Sequence, residues 1–203
     1  MMCVFDERTQ KRSGITLREE VFMKKLLAVA LSLCLLCSFA LAEETPELSW
    51  ENSLSENPNL EANGSTQQIA VDGVGNILYW IPNNLPAIDV STIEAEIPPI
   101  AAFGADNEGT SYSVSVYALT VTGGLEAYAA GLKEAGADVD NAKLVITNGL
   151  QIVGIENPAE GIDMILLPVN DSTILLFACT PLNGDEEWDQ VKAYIASSIR
   201  LAE

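Results

Sequence analysis

Two stretches, AKLVITNGLQIVGI (142–155) and IDMILLPVNDSTILLFAC (162–179), constrain this chain more than any other feature. Asn148-Gly149 suits a two-residue type I′ turn, because both of its positions need positive φ. That turn sets Val145 opposite Ile152 and Leu144 opposite Val153. The same logic at Asn170-Asp171 sets Leu167 opposite Ile174 and Leu166 opposite Leu175. In both hairpins the residues on the two faces are apolar, so this sheet must be covered on both sides.

The spacing supplies two covers. Leu125, Tyr128, Ala129 and Leu132 recur at helical period, with Gly136 as a stop. Farther on, Trp188, Val191, Ile195 and Ile199 form one stripe, with Asp185, Glu186 and Glu187 at its start and Arg200 at its end, as the helix dipole favours. Two more strand pairs are expected, one about Asp72-Gly73-Val74-Gly75-Asn76 and one about Asp106-Asn107-Glu108-Gly109. In the strand after the latter, Tyr112, Val114 and Val116 alternate with serines. The fold class is therefore α+β, a central, mainly antiparallel sheet covered by helices on both faces.

The phrases WIPNNL, SVYALTVTGGLEAYAAGL, NGLQIVG, TILLFACTP and the closing IASSIR, taken in order, resemble the PsbP-like fold. They are also similar to exported proteins of unknown function from Gram-positive, often gut-dwelling, bacteria. The resemblance spans roughly residues 66 to 202. It implies an antiparallel sheet between helices, and a family whose better-known members dock onto other proteins without turnover. These are fold phrases, so no functional residue is carried over. Asn83-Asn84-Leu85 stands where that fold often has tryptophan.

MKKLLAVALSLCLLCSFALAEE begins at Met23. Its apolar run is shorter than the roughly 20 residues of a spanning helix. Cys34 and Cys37 each follow leucine, a poor context for lipidation. Lys24, Lys25 and the Ala40-Leu41-Ala42 end read as a secretory leader cleaved after Ala42. The organisation expected is an upstream extension over 1–22, a signal peptide over 23–42, an acidic tether over 43–65 with a short helix around 47–56, and one domain over 66–203. The protein is then secreted or extracytoplasmic, touching membrane only through an uncleaved leader.

Charge and missing residue types exclude much. The chain carries a net charge of −19, and beyond Ala42 it keeps 25 of its 29 acids but only Lys133, Lys143, Lys192 and Arg200 as bases. Nucleic acid is excluded as a partner by that field; a cell-envelope or extracellular protein is the expected one. There is no histidine, which removes Ser-His-Asp and Cys-His mechanisms and the usual zinc sites. Cys179 is the one cysteine after the leader, so no internal disulfide forms, and its apolar setting marks it as a buried small hydrophobe. Tyr79, Trp80 and Trp188 read as core.

Three function classes remain. The leading one is a non-catalytic interaction module, with no catalytic or cofactor-binding residue assigned. A hydrolase using paired carboxylates, glycosidase-like, is the alternative. Calcium binding is a third, with Asp138, Asp140 and Asn141 as candidate ligands, beside the Asp106-Asn107-Glu108 and Asp185-Glu186-Glu187 clusters. The stretch after Asp138 lacks the EF-hand pattern, because Ala142 and Lys143 stand where a third ligand and glycine belong.

Overall fold

The structure, a computed structural model, describes residues Thr45–Ala202. The expected leader, its cleavage point and the upstream extension lie outside the described residues.

Among the described residues ten strands and four α-helices follow in order: β1 (Glu47–Leu48), α1 (Trp50–Glu56), α2 (Leu60–Asn63), β2 (Gly64–Val71), β3 (Gly75–Pro82), β4 (Ala101–Asn107), β5 (Thr110–Thr120), α3 (Gly124–Glu134), β6 (Lys143–Thr147), β7 (Leu150–Asn157), β8 (Ile162–Asn170), β9 (Thr173–Thr180), α4 (Glu186–Ser198) and β10 (Arg200–Leu201). They build a mixed α/β domain with two sheets. The larger has seven strands in the order β1-β6-β7-β8-β9-β5-β4, and the smaller has three, β10-β3-β2. The β2–β3 hairpin therefore does not join the central sheet. Instead it forms a second layer with the end of the chain, and Tyr79 and Ile81 of β3 enter the same core as Phe177 and Ile195.

The Asn148-Gly149 turn has φ values of 47° and 78°, and the register Val145↔Ile152, Leu144↔Val153 follows from it. The β8–β9 hairpin is shifted by one residue from the expected pairing. The turn falls at Asp171-Ser172, with Asn170 opposite Thr173, which alone would set Leu167 against Leu176; a bulge at Val169 takes back one residue, so Leu167 faces Leu175 and Leu166 faces Leu176. Proline has no N–H to give the ladder, so a strand bearing it bulges readily.

Alternation sends Leu175, Phe177 and Cys179 into the large core with Val114, Val116 and the α4 stripe. Ile174, Leu176, Leu166 and Leu119 go to a second cluster, against which Leu125, Tyr128 and Leu132 of α3 pack. Helix α4 starts as its acids suggest, with Asp185 Oδ1 accepting the Trp188 N–H at 2.8 Å. It ends at Ser198, and Arg200 lies in β10 opposite Leu78, where its guanidinium donates to Ser198 O and sits over the Trp50 ring.

Composition reads as a tether over 43–65, yet from Thr45 onward the stretch is packed. β1 runs parallel to β6, and Trp50 and Leu60 lie in the core. Asn148 ties this segment down: its side chain accepts the Trp50 N–H at 3.1 Å and donates to Ser197 O and Ile199 O at 2.7 and 2.9 Å. One turn residue thus caps the start of α1 and the end of α4.

Candidate functional site

The WIPNNL phrase turns out of β3 beside the start of α4, and two hollows open on either side of it. One, of about 380 Å³, is bounded by Asp106, Tyr112, Asp185 and Trp188. The other, of about 410 Å³, is bounded by Asn57, Asn63, Gln190 and Tyr194. They share Pro82, Asn84, Glu187 and Val191, so they form one groove. No lysine or arginine lines either hollow.

Two aromatic pairs stiffen its walls. Tyr112 meets Trp188 edge-on at 5.2 Å, and Tyr194 meets Trp80 edge-on at 6.2 Å. Each tryptophan is anchored in turn, Trp188 Nε1 donating to Pro181 O and Trp80 Nε1 to Leu60 O, both at 2.9 Å. The tyrosines, less buried than the tryptophans, are left to face the groove.

The acids differ in how far the fold already uses them. Asp185 caps α4 through Oδ1 and accepts from the Tyr112 hydroxyl through Oδ2 at 3.3 Å, while Asp106 accepts from the Ser111 hydroxyl. Glu187 has no side-chain partner among the described residues. Burial, then the Asp185, Glu108 and Glu187 carboxylates, push the Tyr112 phenol up, so it remains a donor at neutral pH. The groove is thus rich in acceptors and amides, walled by rings and without a cation.

Of the calcium candidates, Asp138 and Asn141 meet, the Asn141 amide donating to Asp138 at 2.8 Å, but Asp140 is taken by Lys133 at 2.6 Å. Among the described residues no group of three or more His, Cys, Asp and Glu side chains is arranged to hold a metal ion. Asp106-Asn107-Glu108 starts the β4–β5 turn, and Asp185-Glu186-Glu187 opens α4.

Asp138 and Asn141 do line a further cleft, of about 680 Å³, between α4 and β6–β8. Lys192 is largely covered there and clamps β8. Its ammonium donates to Asp163, to Asp189 at 2.8 Å and to Leu182 O at 3.2 Å. Burial pushes its pKa down, and the two carboxylates push harder the other way, leaving it raised.

Behind that cleft Cys179 is fully buried, and burial, aided by Asp163, pushes its thiol up from 9.0 to about 12. The folded state therefore keeps this proton longer than the unfolded chain. Its contribution to stability is complete below about pH 9 and is lost as pH climbs toward 12. Comparing urea midpoints at about pH 8 and pH 10.5, Cys179→Ala should lose less on alkalinisation than the native chain. An equal loss in both would reject this assignment. Tyr79, raised by burial to about 12, adds to the same alkaline limb.

Sequence reasoning did not find Tyr112, Asn84, Gln190 or Tyr194 as a group. One signal was present: Glu187, Gln190, Val191 and Tyr194 recur at i, i+3, i+4 and i+7 beside the core stripe of α4, a second helical edge of mixed character.

No protein-family model matches the chain, and no curated protein matches it. Among solved structures it is similar to the solution structure of cyanobacterial PsbP (CyanoP) from Synechocystis sp. PCC 6803, at 16% identity, over 68% of this chain and 93% of that one, with a TM-score of 0.41.

Proposed function

We propose that this chain is an exported, PsbP-like α+β domain with a helix on each face of its larger sheet, acting as a non-catalytic interaction module. Its partner is a cell-envelope or extracellular protein, from which a cationic segment docks in the groove at Pro82–Leu85. Support for the layering comes from the packing of Leu125, Tyr128 and Leu132 in one cluster and of Trp188 and Ile195 in the other. The leader-like segment ending at Ala42 supports export.

The observation that carries the docking reading is a groove with Asp106, Asp185 and Glu187 in its lining, two held tyrosine edges and no cation. Cationic side chains find carboxylates there, beside the aromatic stems of the two tyrosines. A hydrolase would need two carboxyl groups free to exchange protons. Asp185 is occupied as a helix cap and as acceptor for Tyr112, which favours binding over turnover.

The experiment is calorimetric titration with a hexalysine peptide. Binding should be saturable and weaken with salt. Asp106→Asn with Glu187→Gln should weaken it by about fivefold or more, whereas Glu94→Gln with Glu96→Gln, an equal change of charge on an exposed loop, should leave it within about twofold. Equal losses in the two double variants would mean diffuse attraction by an acidic surface and would end the proposal.

A further inference from the structure

The four sheet edges are not alike. β1 and β10 are two residues long. β4 is covered by the preceding loop, with an Ala87↔Phe103 bridge, Ile88 N–H donating to Ala102 O at 2.8 Å and Gly104 N–H to Pro86 O at 3.0 Å. β2 is different. Over eight residues, GSTQQIAV, its pairing with β3 runs unbroken from Gly64↔Pro82 to Val71↔Gly75. It contains no charge, no proline and no bulge, the devices by which natural edges avoid pairing. In a chain with 29 acids, an uncharged edge of this length stands out.

Asn83 N–H donates to Asn63 O at 2.8 Å, in register with that pairing. Antiparallel ladders alternate, so odd-numbered residues of β2 bond to β3 while Thr66, Gln68 and Ala70 turn N–H and C=O outward. Among the described residues no strand takes them.

We infer that β2 is an interface at which two copies of this chain pair antiparallel about a two-fold axis at Gln68. A two-fold normal to the sheet keeps like faces together, so Gln68 meets Gln68 of the other copy and Thr66 meets Ala70. Every outward group of those three residues then finds a partner. The flanking acids do not collide, because the same register sets Asp72 against Gly64, while Glu61 lies in α2, outside the paired strand. The chain itself supplies the second unpaired strand, and this edge is where two such acidic surfaces approach with least local repulsion. One strand pair buries little area, so the dimer is weak, and the net charge of −19 on each copy makes it tighten as salt rises.

Sedimentation equilibrium of the purified protein tests this. In about 0.5 M NaCl a monomer–dimer equilibrium is expected below about 1 mM, loosening at low salt. Gln68→Pro removes one outward N–H per copy and no bond to β3; it should weaken the dimer by about tenfold or more while the melting temperature holds within a few degrees. Gln68→Ala keeps the N–H and should dimerise as the native chain does. A protein that stays monomeric to about 1 mM at high salt, a Gln68→Pro dimer of native strength, or open-ended fibres in place of a closed dimer would each overturn the inference.

Discussion

Phe177→Ala should lower the free energy of unfolding by about 3–5 kcal/mol, the largest effect of any single truncation proposed for this fold. Phe177 lies at the centre of β9, opposite Ile165 on one side and Val116 on the other, with no exposed surface. Its ring meets Tyr79 of the smaller sheet edge-on at 5.2 Å, so it spans the junction of the two sheets. Removing the ring leaves a cavity between layers that are each held by their own ladders and cannot collapse to fill it. Against a typical domain stability of about 5–15 kcal/mol, that loss is severe. Phe177→Leu, which keeps most of the volume, should cost less than about 1.5 kcal/mol. Urea titrations of the two variants measure the difference; a cost below about 1 kcal/mol for the alanine variant would mean the layers do not meet through this ring.

Gly64→Ala is expected to be nearly as damaging, at about 3 kcal/mol, although it adds a single methyl group. The backbone at Gly64 is extended, so no left-handed conformation demands glycine. The demand is close approach. A Cβ there would lie 2.1 and 2.2 Å from the Trp80 indole and 2.6 Å from Ile81 O. The indole crosses Gly64 to donate to Leu60 O, and it contacts both Trp50 and Tyr194. Any shift that admits the methyl breaks that hydrogen bond and unseats a wall of the groove. Gly109→Ala adds the same atom where nothing lies within 4 Å, so its cost is limited to the strain of φ +87° and should stay near 1 kcal/mol. Thermal melts of both variants, with the Gly64 variant no worse than the Gly109 variant, would contradict the packing described.

The parts of the fold legible in the sequence were those set by local rules. The Asn148-Gly149 turn specified its register because only one turn type suits the dipeptide. The α4 stripe and its acidic start were visible because a long amphipathic period with a cap leaves little choice. What was hidden depended on distant partners. The β8–β9 turn moved to Asp171-Ser172 and a bulge at Val169 took back part of the offset, leaving the pairing one residue from the expected one, and nothing short of the ladder records where the extra residue goes. The segment from Thr45 to Asn63 read as an acidic tether with a short helix around 47–56; α1 lies within that range, while the docking of Leu60 and the β1–β6 pairing left no mark beneath the acids that outnumber the buried residues. Arg200 looked like a helix end, and the chain instead turned at Ile199 to place it in β10. The groove was hidden for the same reason: its walls come from the α1–α2 segment, β3, β4, β5 and α4, and only the spacing of Glu187, Gln190, Val191 and Tyr194 on one element hinted at it.

The most direct test of the docking account is an amide chemical-shift map of the isotope-labelled protein titrated with hexalysine. The account predicts shifts concentrated at Asn84, Asp106, Tyr112, Glu187, Gln190 and Tyr194, with the acidic loop about Glu94 and Glu96 unmoved. Shifts spread evenly over the acidic surface, or gathered at the Asp138–Asn141 cleft with the groove silent, would contradict it.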